Sequence, residues 1–66
     1  MDELYFVVEE DPEGGYTAHA VGKSIYTQGE TLEEIRENVR DAVTCHFEAG
    51  VPKIIHLHIV KDEVLE

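Results

Sequence analysis

Between Thr31 and Gly50 the chain carries one amphipathic helical segment, with strand-like segments on both sides of it. A helix set between strands of one sheet is a crossover, so the strand after it should run parallel to one before it, most simply the first, by a right-handed connection. The helix start is written in Thr31-Leu32-Glu33-Glu34. The Thr31 hydroxyl can accept from the Glu34 amide while the Glu34 carboxylate reaches back to the Thr31 amide, and both acids suit the positive end of the helix dipole. Leu32, Ile35, Val39, Ala42, Val43, His46 and Phe47 then recur on one arc, with Glu33, Glu37, Asp41 and Glu48 opposite. The helix is expected to end near Gly50, where Pro52 enforces the stop.

Before the helix, Glu3 to Glu10 is rich in β-branched and aromatic residues and is closed by Asp11-Pro12-Glu13-Gly14-Gly15, which reads as a strand and a turn. Tyr16 to Val21 supplies a second strand, Gly22-Lys23 a break, and Ser24 to Thr27 a short third strand ahead of Gln28-Gly29. Tight connections between short strands imply an antiparallel meander. Lys53 to Val60 reads as the fourth strand, with the acidic tail Lys61 to Glu66 beyond it. The expected fold is α+β in the order β-β-β-α-β, a small mixed sheet with one helix on one face, formed by a single domain over residues 1–66.

The fourth strand has two faces. Ile55, Leu57 and Ile59 are expected to meet the helix, while Ile54, His56, His58 and Val60 point away. The first strand repeats the pattern, with Leu4, Phe6 and Val8 alternating against Tyr5 and Val7. One helix covers one face only, so apolar residues on both faces argue for burial against a second copy or a partner. Phe6, Val8, Ile54, His56 and His58 are the residues expected at an oligomer interface. Self-association also suits the size, since a domain this short buries only about 60% of its unfolded surface.

Charge excludes further classes. Fifteen acidic against five basic residues give a formal net charge of −10, which repels a phosphate backbone and argues against direct nucleic-acid binding. The plain reading of the helical acids is a solvated face; the alternative is a docking surface for a basic protein partner, paired through Glu30, Glu33, Glu37 and Asp41. The longest uninterrupted apolar run, Leu4 to Val8, is too short to cross a bilayer, and Met1-Asp2-Glu3 opens no secretory signal. With the single cysteine, Cys45, these features point to the cytoplasm.

Three constellations have chemical potential. His56 and His58 share a strand face, but a zinc site takes three or four ligands, and Cys45 and His46 diverge on the helix. The pair therefore reads as an exposed or dimer-facing surface, with no metal or other cofactor expected. Cys45 with His46 or His19 as base does not form a cleft-bound nucleophile pair, because adjacent helical residues do not face each other. Glu9 and Glu10 project to opposite sheet faces, so the acids at the end of the first strand do not converge on magnesium. No enzymatic activity is expected.

Tyr5-Phe6-Val7-Val8-Glu9-Glu10-Asp11-Pro12-Glu13-Gly14-Gly15-Tyr16-Thr17-Ala18, then Gln28-Gly29-Glu30-Thr31-Leu32-Glu33-Glu34, then Asn38 and Asp41-Ala42-Val43, resemble the HicB-type antitoxin domain over nearly the whole chain. The resemblance implies a reduced ribonuclease H-like fold without its active site. It also implies a partner, a small basic HicA-type toxin that cleaves mRNA, held with its active site occluded. Many such chains continue into a DNA-binding segment, whereas this one has six residues after its fourth strand, so a short form without operator binding is expected. The alternative is a stand-alone homo-oligomeric regulatory domain.

Overall fold

The chain folds as β1 (Glu3–Glu10), β2 (Tyr16–Ala20), β3 (Tyr26–Gly29), α1 (Leu32–His46) and β4 (Ile54–Val60). The structure, a computed structural model, describes residues 3–47, 50, 52, 54–61 and 65. The strands form one mixed sheet in the order β3-β2-β1-β4, with β1 antiparallel to β2, β2 antiparallel to β3, and β4 parallel to β1. The helical crossover thus closes onto β1, as a strand-helix-strand segment requires.

Ile35, Val39 and Val43 recur every four residues along α1 and pack on Leu4, Phe6 and Val8 of β1, Ala18 and Ala20 of β2, and Ile25. Phe6, Val8, Ile35, Val39 and Val43 are the largest fully buried side chains, and each contributes roughly 1.5–3 kcal/mol on burial. The helix approaches β2 and β3 most closely. Small residues there allow it: a Cβ added at Gly29 would lie 3.0 Å from Glu34 Cβ and 3.2 Å from Ile35 N. The larger β1 side chains fill the wedge that opens toward β4.

Several local expectations shift. The third strand begins at Tyr26 and runs through Gly29, which pairs with Tyr16. Gly29 marks no break, because its missing side chain serves the contact with the helix. Ile25 is instead buried ahead of the strand, with its carbonyl accepting from Ala20 N at 2.9 Å. The helix ends at His46; the Phe47 amide donates to Val43 O at 3.0 Å as Phe47 turns extended, short of Gly50. Thr31 caps the helix, its Oγ1 accepting from Glu34 N at 3.1 Å, but the Glu34 carboxylate accepts from the Glu30 amide, not from Thr31. His46, placed by spacing on the apolar arc, is exposed against the edge of Phe47. Glu48 and Lys53 lie outside the described residues.

Phe6 and Val8 are the main correction. Both have no exposure and face α1, since Phe6 pairs with Leu57 and Val8 with Ile59 on the helix side of β4. They belong to the chain's own core, and the opposite face carries Tyr5 and Val7 in their place. Ile59, though on the helix side, is 39% exposed because α1 does not reach it.

Gly15 and Gly22 test the backbone. Their φ angles are nearly equal, +79° and +77°, but a Cβ on Gly15 would meet Gly29 O at 2.8 Å while one on Gly22 meets nothing within 4 Å. Gly22→Ala should cost about 1–2 kcal/mol for left-handed backbone alone. Gly15→Ala should cost more by at least about 1 kcal/mol of steric strain. Urea denaturation of the two variants measures the difference, and equal midpoints would contradict the close approach.

Candidate functional site

The pairing of Tyr16 with Gly29 brings the β1–β2 turn beside the start of α1. Gly14 N donates to Asp11 O at 2.9 Å, Asp11 N to Gly15 O at 3.0 Å and Glu13 N to Asp11 Oδ1 at 2.9 Å, which fixes the turn. Between turn and helix lies a polar hollow of about 440 Å³, lined by Asp11, Glu13, Gly14, Tyr16, Gln28, Gly29, Glu30 and Glu34. Asn38, in the second turn of the helix, donates from Nδ2 to Gln28 O at 2.7 Å and ties the β3 side of the hollow to α1.

Glu30 lines this hollow, whereas Glu33, Glu37 and Asp41 stand four residues apart along the exposed side of the helix. Spacing of this kind puts them in one stripe. None of these acids forms an ion pair among the described residues. One group of acids thus borders the hollow at the helix start and the other lies along the exposed side of the helix. Sequence reading missed Asp11, Glu13, Glu34 and Tyr16 as parts of the hollow. The β2–β3 hairpin register was the available signal, because pairing Tyr16 with Gly29 places the turn against the helix start.

The other sheet face is open. Register places Tyr5 and Val7 of β1, Thr17 and His19 of β2, Tyr26 and Gln28 of β3, and Ile54, His56, His58 and Val60 of β4 on it. Tyr26 is 62% exposed, and Tyr5 and Ile54 are 50% exposed. Tyr5 stacks on His56 with ring centroids 4.2 Å apart and planes 7° apart, and His56 Nε2 lies 2.8 Å from Glu3 Oε1. This contact is solvated, so its main effect is to orient the ring. Ile54, His56 and His58 therefore sit on the face expected of them, without Phe6 and Val8.

Among the described residues no three His, Cys, Asp or Glu side chains gather as metal ligands. Cys45 is exposed on α1, and His19 lies on the sheet face away from that helix. On the helix side, a smaller groove of about 240 Å³ runs between α1 and β4, lined by Arg36, Val39, Arg40, Ile55 and Leu57. Its two arginines turn from the acidic stripe toward β4. No helix among the described residues is long and apolar enough to cross a membrane.

These features define a small α+β domain with a buried apolar core, an acidic border and an uncovered sheet face. The chain belongs to the UPF0150 family. It is 47% identical over 60 residues to a UPF0150 protein of Thermotoga maritima, covering 91% of this chain and 86% of that one. It is 56% identical over 50 residues to a UPF0150 protein of Archaeoglobus fulgidus, covering 76% and 74%. No family profile and no solved structure matches the chain.

The Asn38 bond gives the hollow a stability test. Asn38→Ala should cost about 1 kcal/mol for the lost hydrogen bond. Asn38→Asp, nearly the same shape, should cost more at neutral pH because it sets a carboxylate against the Gln28 carbonyl. Thermal unfolding should show the gap between the two variants narrowing as the new carboxyl is protonated at low pH. Identical melts at pH 7 would mean that the Asn38 donor carries no weight.

Proposed function

We propose that this chain is a cytoplasmic, non-enzymatic binding protein of the HicB antitoxin type. Its partner is a small basic ribonuclease of the HicA type, held with its active site occluded, and the chain itself does not contact nucleic acid. The observation that carries this reading is the acidic border. Asp11, Glu13, Glu30 and Glu34 surround one hollow, and Glu33, Glu37 and Asp41 lie along the exposed side of the helix. A hollow lined by carboxylates, Tyr16 and Gln28 fits an inserted lysine or arginine, and the stripe beyond it steers a basic surface into place. The sequence resemblance to HicB-type domains supplies the identity of that basic protein.

The open sheet face favours a second reading, a stand-alone homo-oligomeric domain that regulates another protein. The two readings divide on one experiment: co-expression with a small basic protein encoded beside this chain, followed by pull-down and growth rescue. The antitoxin reading expects a complex and restored growth. Glu30→Lys with Glu33→Lys should slow association by about tenfold at low salt and much less at high salt. No complex and no rescue with the wild-type chain would exclude the antitoxin role.

A further inference from the structure

β4 is the edge of the sheet and pairs with β1 alone, while its Ile55 and Leu57 border α1 across an open groove. Natural edge strands are protected by charges, prolines, bulges or brevity. β4 has none of these: it is seven residues of Ile-Ile-His-Leu-His-Ile-Val without a charge, proline or glycine. The opposite edge, β3, is only four residues long, and Glu30 follows it directly. Ile55 and Leu57 are only half-buried on the helix side, and Ile54, Ile59 and Val60 are exposed.

The occupant this edge fits is a second copy of the chain. Two chains of net charge −10 repel wherever acids face each other, so self-association needs an acid-free surface. β1 carries Glu3, Glu9 and Glu10, and α1 carries Glu33, Glu34, Glu37 and Asp41, while β4 carries no acid. A two-fold axis normal to the sheet pairs β4 with its copy antiparallel and keeps both helices on one side. Opposed residues then share a face, so odd-numbered positions meet odd and even meet even. Full overlap of the strand centres the axis on Leu57. His56 then stands opposite His58 of the second copy, and His58 opposite its His56.

We propose that β4 pairs in this way and that His56 and His58 of both copies form a zinc-binding cluster on the open sheet face, one that neither copy has alone. Directly opposed Cβ atoms are about 4.5–5.5 Å apart. Neighbours two residues apart on one strand are separated by about 6.6 Å. Four imidazoles within that grid supply the three or four nitrogen ligands that zinc takes. His56 is already oriented: Tyr5 stacks on its ring, and the Glu3 carboxylate accepts from Nε2, which leaves the Nδ1 lone pair for a metal. A carboxylate holding the second nitrogen of a histidine ligand is the usual outer contact of zinc sites. The inference is independent of any toxin partner.

Sedimentation equilibrium of the purified chain in EDTA and in micromolar zinc chloride tests the proposal, with calorimetry for stoichiometry. Zinc should tighten the dimer at least tenfold, with one ion per two chains. His58→Ala should abolish that gain and keep the metal-free melting curve. Ile59→Lys and Ile54→Lys, one on each face of the edge and each confirmed folded by circular dichroism, should both weaken the dimer. A dimer indifferent to zinc, zinc binding retained in His58→Ala, assembly that continues past two chains, or wild-type association in both lysine variants would overturn it.

Discussion

A single helix about 10 Å across cannot cover four strands spaced about 4.8 Å apart. In this chain the helix settles against β2 and β3, where Ala18, Ala20 and Gly29 let its backbone come close. β1 fills the remaining space from the side with Leu4, Phe6 and Val8. Two surfaces are then left over by geometry: the whole reverse face of the sheet and the helix side of β4. Ile55, Leu57 and Ile59 show the consequence, since they share a face with buried β1 residues and yet keep contact with solvent. The exposed apolar residues follow from the ratio of one helix to four strands.

That position of the helix also sorts the charges. With Ile35, Val39 and Val43 turned into the core, Glu33, Glu37 and Asp41 are carried outward, while Arg36 and Arg40 line the groove toward β4. The hairpin of β2 and β3 adds the acids of the β1–β2 turn to those at the helix start. Among the described residues the acids are thus distributed unevenly: they border the hollow and the outer side of the helix, three more lie on β1, and β4 carries none. The same helix placement exposes an apolar edge that carries no acid of its own, with Glu3 of β1 held against His56.

Element order, the crossover onto β1 and the helix face were legible in the sequence because each rests on local periodicity or on a topological rule. Phe6 and Val8 were harder. Alternation in β1 is apolar on both faces, and nothing within one strand says which set meets the helix; the register with β4 settles it, because Phe6 stands beside Leu57. Gly29 misled for a related reason. A glycine reads as punctuation along the chain, but here it is a strand residue whose missing side chain is required by a helix five residues on. The capping box was half legible: the Thr31 side-chain bond follows from the residue types, whereas the Glu34 carboxylate reaches Glu30 because the backbone bends there. The hollow was invisible to local reading, since its walls come from segments joined only by hairpin register.

The histidines of β4 show where a single-chain reading of a site must stop. Two imidazoles on one strand fall short of the ligands a zinc ion takes, and within one copy the nearest other histidine of that face, His19, lies two strands away across β1. Ligand counting along one chain therefore discards the pair. Face parity changes the count: any antiparallel pairing of this edge about a two-fold axis must set even-numbered residues against even-numbered ones, and the even positions at the middle of β4 are His56 and His58. Pairing centred on Leu57, the register of full strand overlap, brings these side chains together as well. Their neighbourhood supports that role over simple solvation, because Tyr5 and Glu3 hold the His56 ring from two sides at a position where solvent alone would demand no order.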